Sequence, residues 1–511
     1  MAVQRRLWLA VGVAAGLCGC TVGPDYQFPK VAVPALFGSA AREAVSQETA
    51  PQPEPVRWWQ TLHDPELTFL VERAIACNPD IEIALTRMQA VRTQQIVVVG
   101  SALPTVEASG GIGAGTGNDL TRGRVAQPIR AGENNTGLSN ISRAVGFDTG
   151  WELDLWGKYR RELEAVRDDA EASSEIRNAV FISVIADVVR NYVTLRGLQL
   201  RLKIAQTGVT AAQKTADVAQ ERFNRGLTNE LDVTLAKREL ASAQAIIPDL
   251  TAAISHQESQ LALLLGTFSS DVIPELRKAR ALPRVPTRLR TGVPVDLLRR
   301  RPDIRMSERQ LAAATARIGV ATSNLFPTVT FTAGAGLQGG EKSTSKSAAA
   351  PISGPIWSAG PGAYWPLLDF GRLDALIDIQ ELAAHEALVN YKRTILLAVE
   401  EADDAIKQYR AQQQRYRELQ VALEQARKSV TLATERYERG LTDFLYVLDA
   451  QRQEFNIEDQ AAIAQEAVVI QYVALYKALG GGWELYDELP PLRDPKPAIV
   501  ATVERLTNDW H

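Results

Sequence analysis

Residue types that commonly carry enzyme chemistry are sparse in this sequence. The four histidines, His63, His256, His385 and His511, are too dispersed to suggest a zinc site or a catalytic triad. The run from Gly110 to Gly117 lacks the spacing of a dinucleotide-binding loop. The net charge of -4, with Lys and Arg scattered, gives no basic field for nucleic acid. We therefore expect no enzyme, no metal site and no nucleic-acid partner.

The cysteines suggest a different chemistry, covalent attachment of lipid. Arg5 and Arg6 precede an apolar run over residues 7–17, which is too short to span a bilayer and is typical of a secretory signal. The run ends in Leu-Cys-Gly-Cys, which resembles a bacterial lipobox. Cleavage before Cys20 would free this residue for diacylglycerol and N-acyl attachment, and several acyl chains anchor a protein stably. The alternative is an ordinary signal peptide with an incidental cysteine.

Cys20 is followed by Thr21, so the Asp that argues for retention at the inner membrane is absent. In a mature chain Cys77 would be alone, which excludes a disulfide framework. We expect no cofactor beyond the acyl lipid on Cys20.

The chain contains an internal duplication. Asn-Pro-Asp-Ile at 78–81 matches Arg-Pro-Asp-Ile at 301–304, and Pro-Thr-Val at 104–106 matches 327–329, both with an offset of 223. The offset is 214 for Trp151 and Trp365, for the Arg-Gly-Leu-Thr motifs at 225–228 and 439–442, and for Leu-Gly at 265–266 and 479–480. Repeats of this length are structural halves rather than solenoid units.

Each copy contains segments of period two. Val329, Phe331 and Ala333 alternate with threonines, and Val145 and Phe147 alternate with small or acidic residues that include Asp148. Such strands place apolar side chains on one face and acidic or small ones on the other, as a lipid-facing barrel strand requires, although a soluble sandwich strand has the same period. Residues 117–142 and 339–355 are rich in Gly, Asn, Ser and Lys and are predicted to be exposed loops.

Long helices follow the strands in each copy. Apolar residues from Ala402 to Tyr437 recur in steps of three and four, and the stretch from Gly157 to Arg222 is similar. Some sixty-five helical residues make a rod of roughly 100 Å. Gly226 and Gly440 are predicted to end these rods as left-handed caps, after which a second helix returns. Each copy is thus a β-hairpin joined to a helical hairpin.

Two β-hairpins supply four strands, whereas the smallest transmembrane barrels have eight. A barrel therefore requires oligomerisation. A dimer, trimer or tetramer would have eight, twelve or sixteen strands, and the sequence pattern does not choose among them.

Several motifs occur in the order seen in one family. These are Cys-Thr-Val-Gly-Pro-Asp-Tyr at 20–26, Trp-Trp at 58–59, Asp-Pro at 64–65, Arg-Arg-Pro-Asp-Ile at 300–304 and Leu-Gly-Gly-Gly-Trp at 479–483. With the duplication, they resemble the NodT-type outer-membrane factor lipoproteins, relatives of TolC and OprM. The resemblance covers nearly the whole mature chain.

It implies a membrane α+β fold: a homotrimer with a twelve-stranded transmembrane β-barrel in the outer membrane, continuing into a twelve-helix periplasmic α-barrel. The implied function is the passive exit duct of a tripartite efflux pump for drugs or other small molecules. The implied partners are a periplasmic adaptor protein, an inner-membrane transporter of the RND type and outer-membrane lipid. A type I secretion duct is the alternative within this class, and a structural coiled-coil lipoprotein or a periplasmic adaptor is the alternative outside it.

The resemblance also directs attention to the segment after Gly440, which is similar to the tunnel-closing segment of the family. Leu445, Asp449 and Arg452 stand at i, i+4 and i+7 on one helical face. Threefold symmetry would give a ring of carboxylates that binds cations and a ring of leucines that excludes water. We expect these residues to form the periplasmic gate. The alternative is an ordinary surface Asp–Arg pair.

A second pair of residues matches the family's latch between the two hairpins. Asp232 and Tyr437 occupy latch positions, although Asp232 also suits the first turns of a helix. Thr442 and Tyr446 replace an arginine of that latch and one of the family's two gate aspartates, so the closed state is expected to be held differently.

The resemblance places adaptor contact at the two Arg-Gly-Leu-Thr turns. Their residues are Arg225, Gly226, Leu227 and Thr228 in the first copy and Arg439, Gly440, Leu441 and Thr442 in the second. Helix capping explains the glycines equally well.

The expected domain order is a signal peptide at 1–19 and an N-terminal equatorial segment at 20–60, followed by a first repeat at 61–270. That repeat has a helix, then a β-hairpin at 104–156 and a long helical hairpin at 157–266. A Pro-rich equatorial linker at 271–293 leads to a second repeat at 294–482, which has a helix, then a β-hairpin at 327–370 and a long helical hairpin at 371–480. An equatorial tail at 483–511 ends the chain.

Overall fold

A computed structural model describes residues 21–34, 57–115, 140–270, 276–285, 300–344 and 347–484. A short 3-10 helix at Trp58–Leu62 precedes the first of seven α-helices in these ranges. The elements of the first copy are α1 (Pro65–Cys77), α2 (Pro79–Ala102), β1 (Thr105–Gly115), β2 (Asn140–Leu153), α3 (Lys158–Asn224) and α4 (Glu230–Leu264). Those of the second copy are α5 (Pro302–Ser323), β3 (Thr328–Thr344), β4 (Ser347–Tyr364), α6 (Arg372–Glu438) and α7 (Phe444–Leu479).

Side-chain caps and prolines fix the start of the first two helices. The Asp64 carboxylate accepts hydrogen bonds from two backbone N–H groups of α1, and the Asn78 side chain does the same for α2. Pro65 and Pro79 occupy the first helical position, where the missing N–H costs nothing. These caps fix the residues at which α1 and α2 begin.

The two long helices, α3 and α6, have the same length and the same local signals. Each has 67 residues, which corresponds to roughly 100 Å. Each begins after a glycine with positive φ, Gly157 at 79° and Gly371 at 81°. Each is followed by a tight turn and a returning helix, as the sequence predicts.

The four strands form one antiparallel sheet in the order β1-β2-β3-β4. Thr105 pairs with Gly150 at the base of the first hairpin, and Thr328 pairs with Tyr364 at the base of the second. These pairs differ by the sequence offsets of 223 and 214, so the duplication extends to the register of the sheet. Strands β1 and β4 are its two open edges.

The prediction of an exposed loop at 339–355 is wrong. Backbone pairing of β3 with β4 continues to Thr344 and Ser347, with one irregularity between Lys342 and Thr344. Gly and Ser are poor strand formers, but strand pairing outweighs this preference here: β3 pairs with β2 and β4, and β4 pairs with β3. The other predicted loop, 117–142, lies mostly outside the described residues.

The largest hydrophobic core lies beside the middle of α3. Trp58 and Trp59 pack there with α1 and with the C-terminal half of α7. Leu276 and Leu282 of the linker between the copies belong to the same cluster. The core therefore joins both copies to the segments that the sequence analysis assigned to an equatorial region.

The domain boundaries remain predictions. The signal peptide at 1–19 and Cys20 lie outside the described residues, as do 35–56, 271–275, 286–299 and 485–511.

Candidate functional site

The two faces of the sheet differ in chemistry. Val145 and Phe147 of β2 point to one face and are largely exposed, as are Leu337 and Trp357 of the neighbouring strands. On the opposite face, the carboxylate of Asp148 accepts a hydrogen bond from the Ser109 hydroxyl at 3.1 Å. An exposed apolar face opposite an acidic one suits a wall between lipid and water.

Each hairpin is clamped at its base by a tryptophan. The Trp151 indole N–H donates to the carbonyl of Ala102 at 3.0 Å, and the Trp365 indole donates to the carbonyl of Leu325 at 2.9 Å. The two donor tryptophans are 214 residues apart and the two acceptor carbonyls are 223 residues apart, which are the offsets of the duplication. Sequence reasoning paired Trp151 with Trp365 but did not predict these hydrogen bonds. The signal available was that donors and acceptors are equivalent positions of the two copies.

Residues 21–34 form a segment, the N-terminal strap, that fixes the chain beside the lipidation candidate Cys20. The backbone N–H of Val22 donates to the carbonyl of Trp156 at 3.1 Å, and Arg161 donates to the carbonyl of Val22 at 3.2 Å. Thr21 packs against Gly157, where a Cβ would lie 2.7 Å from the Thr21 methyl group. Thr21 is thereby held beside Gly157, where the chain passes from β2 to α3.

The strap continues across both copies through polar contacts. Asp25 pairs with Arg161 of α3 at 2.6 Å, and the Tyr26 hydroxyl donates to Glu308 of α5 at 3.0 Å. Burial raises the pKa of Tyr26, and the Glu308 carboxylate raises it further. In the sequence, Asp25 and Tyr26 stand out only as part of a family motif.

An acidic group at the same junction has a shifted titration. Burial raises the pKa of Asp168 to about 6, although Arg309, at 3.4 Å, lowers it. Glu171, which also faces Arg309, raises it further. The Asp168 carboxyl, at the contact between α3 and α5, therefore changes its protonation state near pH 6.

The two Arg-Gly-Leu-Thr turns have matching geometry at the far end of the long helices. Gly226 has φ 72° and Gly440 has φ 70°. The N–H of Leu227 donates to the carbonyl of Arg222, and that of Leu441 to the carbonyl of Arg436, both at 2.9 Å. The predicted left-handed caps are confirmed. Leu227 and Leu441 are exposed at the tips of the turns.

The predicted gate residues lie on the first turns of α7. Phe444 and Leu448 are buried against α3 and α4, and Val447 is buried as well, whereas Leu445 is exposed. Asp449 and Arg452 are half exposed and form an ion pair at 2.6 Å. One protomer thus presents the three residues on a free face, with the Asp–Arg pair formed within the chain.

The predicted latch residues are neighbours without being bonded to each other. The Thr228 hydroxyl donates to the Asp232 carboxylate, and no hydrogen bond joins Asp232 to Tyr437. The guanidinium of Arg222 instead lies 4.7 Å from the centre of the Tyr437 ring. Burial raises the pKa of Tyr437, Arg222 opposes the rise and Asp232 adds to it. Sequence reasoning missed Arg222.

A buried arginine that sequence reasoning also missed holds the linker. Arg196 of α3 is fully buried and donates to the Leu276 carbonyl at 3.2 Å, the Lys278 carbonyl at 2.7 Å and Glu66 at 2.8 Å. Arg280 contacts the same carboxylate of Glu66 at 3.0 Å. This network connects α1 and the linker to α3.

Two features of the described residues bear on other functions. Within the described residues, no three His, Cys, Asp or Glu side chains are grouped to hold a metal ion. Among the described helices, α3 has a stretch apolar enough to cross a membrane, but most of that stretch is buried, as in a core helix.

A four-stranded open sheet with one apolar face, joined to two antiparallel pairs of long helices, defines one segment of a channel wall. The chain belongs to the family described as outer membrane efflux protein, whose sequence profile matches residues 70–267 and 293–481. The two matches fall on the two copies of the duplication.

Relatives and solved structures agree with this assignment. The chain is 30% identical to nodulation protein T of Rhizobium leguminosarum bv. trifolii, over 91% of this chain and 95% of the relative. It is 28% identical to the cation efflux system protein CusC of Escherichia coli, over 92% and 98%. Its fold matches the outer-membrane channel OprN with a TM-score of 0.78 and 35% identity, over 91% of this chain and 100% of that one.

These matches confirm the expected fold class, that of the trimeric outer-membrane channels in which a β-barrel continues into a helical barrel. They also confirm the expected function of an outer-membrane efflux channel subunit.

Proposed function

We propose that three copies of this chain form the passive exit duct of a tripartite efflux pump. Each chain contributes four strands and four long helices, α3, α4, α6 and α7, so three copies supply twelve of each. A periplasmic adaptor and an inner-membrane transporter of the RND type would deliver drugs or other small molecules and supply the energy. The observation that carries the proposal is the open sheet, whose apolar face and unpaired edges require neighbouring strands and lipid.

Outer-membrane attachment through Cys20 is the second part of the proposal. The N-terminal strap supports it, because it holds Thr21 at the base of β2, where exposed apolar residues begin. Acyl chains on Cys20 would then enter the same bilayer as the barrel.

The gate proposal concerns Leu445, Asp449 and Arg452. Around a threefold axis, the exposed side of the first turns of α7 would bring three copies of each together. Asp449 is held by Arg452 within the chain, so the carboxylate ring would form with part of its charge neutralised. Asp232 and Tyr437 would act as a latch through Thr228 and Arg222 rather than by a direct bond.

Adaptor docking is proposed at the two Arg-Gly-Leu-Thr turns. Arg225 and Arg439 flank glycines whose backbone conformation excludes most other residues, and Leu227 and Leu441 are exposed. Replacing both leucines by Ser should weaken adaptor binding, measured by titration on an immobilised channel, while particle mass stays constant. Unchanged affinity would remove the docking assignment.

The whole proposal is tested on membranes and on purified protein. The chain should sediment with the outer-membrane fraction, and light scattering of the solubilised particle should give three copies. A monomer or dimer, or a location in the inner membrane, would contradict the exit-duct assignment.

A further inference from the structure

The linker between the two copies carries a concentrated basic charge. The chain as a whole has a net charge of -4, but residues 277–290 contain six basic side chains and no acidic one. This run is an exception to the otherwise scattered placement of Lys and Arg. The structure describes four of the six, Arg277, Lys278, Arg280 and Arg284, and all four are exposed. We call these four residues the basic band.

The backbone of the basic band is held firmly against α3. Leu276, which precedes the band, and Leu282, which lies within it, are buried in the large core. Arg196 donates to the carbonyls of Leu276 and Lys278, and Gln199 donates to that of Leu276 at 2.8 Å. Because the main chain is fixed, the exposed cations keep their spacing, and less conformational entropy is lost when they bind a ligand.

Two of the four charges are engaged within the chain, and two are not. Arg280 contacts a carboxylate of α1 at 3.0 Å. Burial raises the pKa of Glu258 on α4, and Arg277 opposes the rise. Lys278 and Arg284 form no ion pair with any residue that the structure describes. Each copy of the chain thus presents two uncompensated positive charges, and an oligomer repeats them around the particle.

The basic band lies far from both ends of the long helices. Arg196, which holds it, is 38 residues from the start of α3 at Lys158, or about 57 Å at 1.5 Å per residue. It is 28 residues from the end of α3 at Asn224, or about 42 Å. Salt screens exposed charges over about 8 Å under physiological conditions. The band is therefore out of reach of lipid headgroups at the base of the sheet and of a ligand bound at the Arg-Gly-Leu-Thr turns.

The position of the linker in the fold sets the side on which the band lies. The linker, the 3-10 helix and α1 form a layer packed on the middle of α3. In the proposed duct the four long helices of each copy surround the bore, which has to stay open. The added layer, and the cations exposed on it, therefore lie on the outside of the duct.

The surface of the basic band is charged rather than apolar. Leu276 and Leu282 are buried, and the exposed residues between the cations include Ala279 and Ala281. Interfaces between proteins have cores that are rich in aromatic residues and depleted in lysine. Basic side chains without an apolar centre instead suit an anionic polymer, along which many weak contacts add up.

We infer that the basic band binds the anionic cell-wall polymer of the periplasm, the glycan whose short peptides carry free carboxylates. Lys278 and Arg284 make the contacts, and Arg196 positions them through the main chain. The inference rests on the proposed exit duct, which places the band in the periplasm, and adds to it a surface that holds the duct within the cell wall. A polymer between the bilayer and the turns fits the position of the band, whereas a membrane surface does not.

Binding to isolated, insoluble cell wall tests the inference. The intact oligomer in detergent is mixed with the purified wall and sedimented over a range of salt concentrations. Wild-type protein should sediment with the wall and be released as salt rises. Lys278→Glu combined with Arg284→Glu should weaken this binding about 10-fold or more, because two attractive charges on each copy become repulsive. Amidation of the wall carboxylates should weaken binding of the wild-type protein to a similar extent.

A matched control reverses two charges elsewhere on the long helices. Lys214 of α3 and Arg238 of α4 are exposed, and Lys214 is 18 residues from Arg196, or about 27 Å. Lys214→Glu combined with Arg238→Glu gives the same net charge as the first double variant and should bind the wall like the wild type. An equal loss of binding in the two double variants would show that net charge alone matters and would overturn the band as the site.

A milder variant removes the two charges without reversing them. Lys278→Gln combined with Arg284→Gln should melt like the wild type, because neither side chain forms an ion pair within the described residues. It should also bind the wall more weakly than the wild type and more strongly than the Glu variant. Binding equal to that of the wild type would overturn the role of Lys278 and Arg284.

The outcomes separate the inference from the proposed function. A trimer that does not sediment with the cell wall overturns the inference while the exit duct stands. A trimer that binds vesicles of phosphatidylglycerol and phosphatidylethanolamine through Lys278 and Arg284 as strongly as it binds the wall also overturns it, in favour of a lipid surface. A particle that is not a trimer contradicts the exit duct itself.

Discussion

Replacing Arg196 by Met should weaken the attachment of the linker between the two copies to α3. The substitution preserves apolar volume but removes the guanidinium that reaches Glu66 and the carbonyls of Leu276 and Lys278. Breaking a buried ion pair costs about 3–5 kcal/mol. Arg280 still contacts Glu66 at 3.0 Å, so we expect the lower end, about 3 kcal/mol.

Trypsin provides the assay, because the linker contains its own cleavage sites. Arg277 and Lys278 lie directly after the buried Leu276. If cleavage follows local opening, about 3 kcal/mol raises the cleavage rate there by about 100-fold. Mass spectrometry of the fragments identifies the bonds cut.

A matched control uses a second arginine of α3. Arg201 pairs with Asp459 at 2.7 Å, but both side chains are partly exposed, and Arg201→Met should cost no more than about 1 kcal/mol. Linker cleavage should stay at the wild-type rate. If Arg196→Met also leaves that rate within about threefold of wild type, the reasoning about the buried network is refuted.

Three further predictions address the gate, the junction and the anchor. Asp449→Ala should raise the closed-state conductance in planar bilayers, because it would remove the proposed carboxylate ring; an unchanged closed level would eliminate the gate assignment. Asp168 has a folded-state pKa of about 6 against an ordinary 3.8, so the folded state binds more protons and stability falls as pH rises from about 4 to 6. At 1.36 kcal/mol per pKa unit this is worth at most about 3 kcal/mol, and thermal melting of Asp168→Asn should lose this part of the pH dependence; an identical profile would contradict the assignment. Cys20→Ser should abolish palmitate labelling while Cys77→Ser retains it, and labelled Cys20→Ser protein would exclude the lipobox.

Sequence reasoning succeeded where a signal repeats along the chain. The offsets of 214 and 223 predicted two equivalent halves, and the structure reproduces them in the pairs Thr105 with Gly150 and Thr328 with Tyr364. The glycine turns were predictable because glycine readily adopts the positive φ with which many helices end.

Contacts between distant parts of the chain were not predictable in this way. Arg196 bonds to Glu66, 130 residues away, and to Lys278, 82 residues away, and neither contact leaves a periodic pattern. Arg161 is fixed by the N-terminal strap across more than 130 residues. The strands beyond residue 339 were missed because their composition is that of a loop, whereas pairing of β3 with β2 and β4 decides their structure.

Channel activity of the purified protein is the most direct test of the proposed exit duct. Reconstituted in planar lipid bilayers as a particle of confirmed trimeric mass, it should give discrete conductance steps of one size, one for each inserted particle. Inserted trimers that give no steps would contradict the claim that this chain builds a channel through the outer membrane.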